Sequence, residues 1–373
     1  MITFDLPVSS IRCIPLSLLA LIALAAPRVH AGVQYAVTDL GTLGGNYSYA
    51  YGINSNGQVI GCSYIAGNAA THAFLYSSGH LADLGTLGGS SAYAFGINNK
   101  GQVVGYSQTA GNAAYHAFLY SSGHMADLGT LGGSSGYARG INDKGQVVGP
   151  SQTAGNAAQH AFLYSSGRMA DLGTVGGNYS YAYGINNNGQ VIGGSYIAGN
   201  AAQHAFLCSG GTMADLGTLG GVPSYAYGIN SSGRVVGYAA IAGNAGHAFL
   251  YSSGTMTDLG TLGGDLSYAY GINSSGQVVG YAYTADDTAH HAFLYSNGSM
   301  TDLNSLIDSG SGWALRDAEA INDLGQIVGY GASPSGLTHA FLLTPIPEPG
   351  TLSLVALGTL ALLRRAFNPR RAA

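Results

Sequence analysis

The stretch from Tyr49 to Gly85, YAYGINSNGQVIGCSYIAGNAATHAFLYSSGHLADLG, decides the fold. It contains four short runs rich in β-branched and aromatic residues, each bounded by Gly, Asn or Ser, which is the pattern of short β-strands. They are Tyr49 to Asn54, Gln58 to Tyr64, His72 to Ser77 and Leu81 to Gly85, and are termed strands A, B, C and D. Between A and B stands Asn54-Ser55-Asn56-Gly57. Asn suits the first position of a type I turn, and Gly suits the fourth, where φ is positive. A second tight turn at Ser78-Gly79 separates C from D. A–B and C–D are therefore expected as hairpins, and the longer B–C and D–A connections lie at the opposite end.

The unit recurs along the chain. Asp-Leu-Gly or a close variant begins at Asp39, Asp83, Asp127, Asp171, Asp215, Asp258 and Asp302, with a period of 44 residues and once 43. Ile-Asn recurs at Ile53, Ile97, Ile141, Ile185, Ile229, Ile272 and Ile321, and His-Ala-Phe-Leu at His72, His116, His160, His204, His247, His291 and His339. Repetition at this spacing points to a ring or a solenoid.

Counting separates the two. The body opens with a lone D-type run, Val37 to Gly41, and closes with a C-type run, His339 to Leu343. Six full A-B-C-D sets and a final A-B-C fill the middle, giving 28 strands or seven fours. The first strand can then complete the last blade and leave no open seam. An open solenoid would need atypical caps at both ends, and the terminal repeats show none. The expected fold class is all-β: a seven-bladed β-propeller of four-stranded blades over residues 35–344, with the N-terminal strand closing the last blade. Strand A alternates Tyr49, Tyr51 and Ile53 on one face with Ala50 and Gly52 on the other. Blades stacked face to face would bury both faces, large residues against small ones.

The two ends read as addresses. Residues 1–31 form a secretory signal peptide: Arg12, an apolar run from Ile14 to Ala26, and Val29-His30-Ala31 before a cleavage point between Ala31 and Gly32. The apolar run is too short to span a membrane comfortably. At the other end, Pro347-Glu348-Pro349 precedes an apolar stretch, Gly350 to Leu363, and a basic tail beginning with Arg364 and Arg365. Fourteen helical residues reach only about 21 Å, short of the roughly 30 Å hydrocarbon core. Such a short C-terminal helix, with arginines behind it, would hold the chain transiently in the inner membrane, its tail in the cytoplasm. This tripartite segment, residues 346–371, resembles a PEP-CTERM sorting signal. The resemblance implies passage through the export translocon and recognition by an exosortase-type membrane enzyme. It also implies cleavage near Pro347-Glu348-Pro349 and delivery to the cell surface or extracellular matrix of a Gram-negative bacterium.

Composition narrows the function. Charged residues make up 8% of the chain, against roughly 25% in ordinary soluble domains. The two ends hold six of the 12 Lys+Arg but two of the 17 Asp+Glu, so the body carries six positive and 15 negative residues, about −9 in all. A body without a basic stripe does not meet phosphates, which argues against a nucleic-acid partner. Cys13 lies in the segment to be removed, and Cys62 and Cys208 sit at non-equivalent places in distant repeats. Neither a disulfide nor a zinc site is expected, and no motif calls for a cofactor.

The seven His and seven Asp invite metal or catalytic readings. A C–D turn at Ser78-Gly79 would place Phe74 opposite Asp83 and make His72 and Asp83 diagonal neighbours on one face, whose hydrogen bond would satisfy polar groups expected to be buried between blades. Seven equivalent copies suit a scaffold, whereas an active site is normally built once by breaking symmetry. The last unit does break symmetry, with five extra residues between Asp302 and Ile321 and the single Trp, Trp313. Together with Tyr47 and Tyr179 in equivalent connections, Trp313 forms a candidate ligand rim that could stack on a sugar. The non-repeated acids that cluster are Asp286, Asp287, Asp308, Asp317 and Glu319. They are what a secreted polysaccharide hydrolase on a propeller scaffold would have to use.

The repeat also resembles the HAF-repeat extracellular proteins, from about Tyr35 to Thr344. The resemblance rests on His-Ala-Phe at seven sites, on Gly96 to Gly105 (Gly-Ile-Asn-x-x-Gly-Gln-Val-Val-Gly) and on Asp83 to Gly89 (Asp-Leu-Gly-Thr-Leu-Gly-Gly). It implies a secreted repeat protein and is silent on activity. The expectation is a non-enzymatic surface or matrix protein that binds, or fills, exopolysaccharide or biofilm matrix.

Overall fold

Seven antiparallel blades follow one another in the computed structural model, which describes residues 33–347 except 244. The expected signal peptide, the Ala31-Gly32 cleavage pair, the apolar C-terminal helix, and Glu348, Pro349, Arg364 and Arg365 lie outside the described residues; Pro347 is the last one inside. Among the described residues no helix is long and apolar enough to cross a membrane.

Blade 1 is typical. Its strands are Gly44–Ile53 (A), Val59–Ile65 (B), Thr71–Ser77 (C) and His80–Asp83 (D), paired in that order. Blade 7 takes strands A to C from Ala314–Ile321, Ile327–Ala332 and Thr338–Ile346, and its fourth strand from the other end of the chain, Gln34–Asp39. The register runs from Gln34↔Ile346 through Val37↔Leu343 to Asp39↔Phe341. The ring is thus closed by the strand expected to close it.

The A–B turns hold a second closure. Gly57 takes φ +74° and donates its N–H to the Asn54 carbonyl, 3.1 Å away, as the turn chemistry predicts. The Asn54 side chain then makes four hydrogen bonds. Its Oδ1 accepts from the amides of Asn56 (3.1 Å) and Gln58 (3.0 Å), and its Nδ2 donates to Gln58 Oε1 (2.8 Å) and to the Asn98 carbonyl in the next blade (3.1 Å). That is the full capacity of the buried amide. The inter-blade bond repeats through Asn98, Asn142, Asn186, Asn230, Asn273 and Asn322 at 3.1–3.3 Å, and Asn322 returns it to Asn54.

Packing between and within blades explains two invariants of the unit. The Phe of every His-Ala-Phe, from Phe74 to Phe341, is fully buried. The last Gly of Gly-Gln-Val-Val-Gly sits under the neighbouring strand A. At Gly61 an added Cβ would overlap the Tyr49 carbonyl and approach Phe74 Cζ to 2.9 Å, and the other blades repeat this.

Three local expectations are corrected. Strand A begins at Gly44 rather than Tyr49, because Gly45 lies flat on the Tyr64 backbone, where a Cβ would come within 2.6 Å of its carbonyl oxygen. The simple alternation of strand A fails at Tyr51. The register slips between Ala50↔Gly61 and Gly52↔Ile60, and a β-bulge of this kind re-aims the unpaired residue. Strand A of blade 3 is split into Gly132–Gly136 and Gly140–Ile141. There Tyr137 donates to the Pro150 carbonyl at 2.9 Å, but Pro150 has no N–H to return the bond.

Candidate functional site in the axial channel

The A strands are innermost, and their bulge residues face the axis. Tyr51, Phe95, Arg139, Tyr183, Tyr227, Tyr270 and Glu319 enclose a cavity of about 390 Å³. Below them stand the Ile53-type side chains and then the asparagine ring, around a smaller cavity of about 210 Å³ whose rim includes Asp143 and Asp323. On the other side, two residues earlier along each strand, five blades carry a Tyr at the Tyr49 position's equivalents (Tyr93, Tyr137, Tyr181, Tyr225 and Tyr268) and blade 7 carries Asp317. Here a side pocket of about 400 Å³ opens between blades 6, 7 and 1, lined by Tyr49, Tyr281, Tyr283, His290, Arg316, Asp317, Tyr330 and Thr338, with Tyr270 shared with the channel.

Blade 7 therefore replaces Tyr-Ala-Tyr-Gly with Asp317-Ala318-Glu319-Ala320, and blade 3 places Arg139 where five blades have an aromatic ring. These three charges set the electrostatics. Burial pushes the Glu319 carboxyl up to about 8; the Asp317 carboxylate adds to that shift, and the Arg139 guanidinium opposes it. Glu319 is half-buried: the ring encloses it, but it still touches channel space. Asp317 is also raised, first by burial, against the opposing pull of His290, the Tyr330 hydroxyl and Arg316. Its Oδ2 lies 3.2 Å from His290 Nε2. Burial raises the Tyr51 and Tyr270 hydroxyls, so they remain neutral donors.

Arg139 lies over the Phe95 ring at 4.1 Å and near that of Tyr106 at 5.6 Å, a cation–π arrangement. Its Nε is buried with no hydrogen-bond partner, and no ion pair of Arg139 occurs among the described residues. The channel thus presents aromatic faces, hydroxyls, one unpaired cation and one carboxyl that keeps its proton at neutral pH.

The repeated His and Asp lie elsewhere, on strand C and the end of strand D. Each His Nδ1 stands 2.7–2.9 Å from its Asp: His72–Asp83, His116–Asp127, His160–Asp171, His204–Asp215, His247–Asp258, His291–Asp302 and, across the seam, His339–Asp39. The diagonal pairing follows from the hairpin register. The expectation that these groups are buried is corrected. The His side chains are 15–34% exposed and the Asp side chains 29–43%, because the pair sits where strand D leaves the blade. Asp83 also accepts from the Gly85 amide at 2.8 Å, shaping that exit. Among the described residues no group of three His, Cys, Asp or Glu is placed to hold a metal ion.

The proposed rim residues are not brought together. Tyr47 and Tyr179 are exposed and pack edge-on against Tyr64 and Tyr196 of their own blades. Trp313 packs on Phe341 at 6.1 Å and lines a separate cleft with Tyr35, Val37 and Ile346. Of the five non-repeated acids that cluster in the sequence, Glu319 lines the axial channel and Asp317 the side pocket beside it. Asp286 and Asp287 lie in the blade 6 B–C turn, and Asp308 caps a short 3₁₀ turn before Trp313. Sequence reasoning missed Arg139. The repeats aligned on Tyr-Ala-Tyr-Gly show it at once as a charge where an aromatic belongs.

A family model described as "Protein of unknown function (DUF3466)" matches residues 223–335, under a third of the chain. No curated protein gives a significant match. Among solved structures, the chain is similar to TolB from Acinetobacter baumannii at 10% identity, covering 80% of this chain and 65% of that one, with a TM-score of 0.43. The Aleuria aurantia lectin in complex with Fucα1-6GlcNAc gives 12%, 83%, 100% and 0.39 on the same measures, and Trypanosoma rangeli sialidase gives 10%, 86%, 58% and 0.37. The chain therefore spans less than two thirds of the TolB and sialidase chains. The propeller assignment stands on the sheet order and the closing strand.

Proposed function

We propose that the protein is an exported, non-enzymatic binding module of the cell surface or extracellular matrix, and that it binds carbohydrate at the axial face of its ring. Export through the translocon is supported by Arg12, the apolar run after it and the Ala31-Gly32 junction. Sorting by an exosortase-type enzyme is supported by the order of Pro347-Glu348-Pro349, apolar stretch and Arg364-Arg365. The observation that carries the binding reading is the break in seven-fold symmetry at the axis. A Tyr-rich pocket, with hydroxyl donors, a His–Asp pair and aromatic faces, opens where blade 7 departs from the repeat. Such groups stack on sugar rings and hydrogen-bond their hydroxyls.

Binding is favoured over hydrolysis by the placement of the two acids. Glycosidases require two carboxyls flanking one scissile bond. Here Glu319 lines the axial channel, while Asp317 lines the side pocket and is engaged by His290 at 3.2 Å. A glycan array, with product analysis on each bound sugar, tests the proposal. Retention without turnover, weakened by Tyr281→Ala, is the expected outcome. Turnover would make the protein a hydrolase, and no retention at all would leave a purely structural ring.

A further inference from the structure

Arg139 is an anomaly for a folded protein. A guanidinium held inside a ring normally has a carboxylate or several carbonyls to satisfy it, because an unpaired enclosed charge is costly. Here it rests on Phe95 at 4.1 Å, with a buried Nε that has no partner. The one acid at its level is Glu319, in blade 7, three blades away around the ring. No ion pair joins the two among the described residues. With Glu319 holding its proton at neutral pH, the space between them carries the net charge of Arg139 alone.

We infer that the axial channel is a binding site for an acidic sugar, with the carboxylate held by Arg139 and the sugar ring by the channel tyrosines. A guanidinium matches a carboxylate bidentately, and a charge-assisted bond is the strongest single polar contact such a cavity can offer. The volume, about 390 Å³, falls in the range of roughly 300–1,000 Å³ typical of small-ligand pockets. Tyr51, Tyr183, Tyr227 and Tyr270 supply rings and hydroxyls at the same height. Entry is set by charge. Asp143 and Asp323 rim the asparagine end and repel an anion, whereas at the Tyr49 level the acid Asp317 is accompanied by Arg316 and His290, so the ligand comes in on that side. The inference rests on the carbohydrate reading above and adds the ligand's charge.

The test is calorimetric titration of the full chain with oligogalacturonate, with the same oligosaccharide methyl-esterified, and with acetate, followed by a panel of other acidic and neutral oligosaccharides. The acidic sugars are expected to bind at least about tenfold more tightly than their neutral counterparts. Arg139→Tyr restores the residue that blades 1, 4, 5 and 6 carry and should fold; Arg139→Gln is the second variant. Both should erase the preference for the acid. Equal affinity for acid and ester, or an acid preference that survives both substitutions, overturns the inference and leaves the carbohydrate reading intact. Acetate competing as well as the sugar acid would reduce the site to an anion hole and overturn it too. Binding of no sugar at all overturns both readings.

Discussion

Asn322 donates its side-chain amide to the Asn54 carbonyl, 3.1 Å away in space and 268 residues away in sequence. This contact makes the ring of seven asparagines continuous, and it closes the propeller at its axis while the strand Gln34–Asp39 closes it within blade 7. Asn322→Ala removes that bond together with the bonds to Gln326 Oε1 and from the amides of Leu324 and Gln326. At about 1 kcal/mol net per bond, and more where a buried group is left unmet, the loss should be on the order of 2–4 kcal/mol. Urea unfolding would measure it. A change below about 0.5 kcal/mol would mean that the amide ring is not a stabilising closure.

That closure illustrates what the sequence made legible. The strand count, the lone first strand and the turn residues all follow from the repeat, because every copy must satisfy the same backbone geometry. The His–Asp diagonal follows from one hairpin register. The asparagine ring is a different matter: Asn-x-x-Gly explains a turn fully, and nothing local reveals that the unused Nδ2 hydrogen reaches the next blade. The bulge at Tyr51 was hidden for a related reason. Alternation of Tyr, Ala, Tyr and Gly reads as a regular strand, and only the pairing with Gly61 and Ile60 shows the slip. Regular alternation points Tyr51 into the blade packing, whereas the slip turns it to the channel, where Arg139 and Glu319 are its equivalents.

Removal of residues 33–40 should open the ring. It takes away the six-residue pairing with Thr338–Ile346, the Leu40 amide bond to the Ala340 carbonyl at 3.0 Å, the His339–Asp39 pair and the buried Tyr35. Strand C of blade 7 would become an exposed edge, a template for another chain. Concentration-dependent oligomers by light scattering and a broadened unfolding transition are expected. A monomer with one sharp transition would show that the first strand is dispensable. Tyr35→Ala, a milder change, should cost roughly 2–4 kcal/mol.

Two adjacent glycines should respond oppositely to one methyl group. At Gly193 an added Cβ would overlap the Tyr181 carbonyl and lie 2.9 Å from Phe206 Cε1, with backbone on one side and the core on the other. Gly193→Ala should therefore destabilise by on the order of 3 kcal/mol. At Gly194 the nearest atoms are side-chain ones, the amide end of Gln203 at 2.8 Å and the Tyr225 ring edge at 3.1 Å, with no backbone among them. The same position holds Cys62, Tyr106 and Tyr281 in other blades. Gly194→Ala should be neutral, or stabilise by up to about 1 kcal/mol through the unfolded chain. Similar thermal shifts for the two variants would contradict this packing.

Glu319 should make the fold less stable as pH rises. The folded chain keeps this carboxyl protonated up to about pH 8, whereas the unfolded chain releases the proton near the ordinary value of 4.5. Between those limits the folded state binds more protons, so stability falls with increasing pH. Asp317, on the same strand and also raised by burial, acts in the same direction. The other groups at the channel do not cancel the effect. Arg139 keeps its charge throughout, as any guanidinium does, and Tyr51 and Tyr270, pushed upward by burial, stay neutral across the window. Glu319→Gln has no proton to lose. Its stability should match the wild type near pH 4.5 and exceed it by pH 8.5, by roughly a few degrees in Tm. Melting curves across that interval decide it: parallel declines in wild type and variant would mean that Glu319 ionises freely, with the channel open to water at its level.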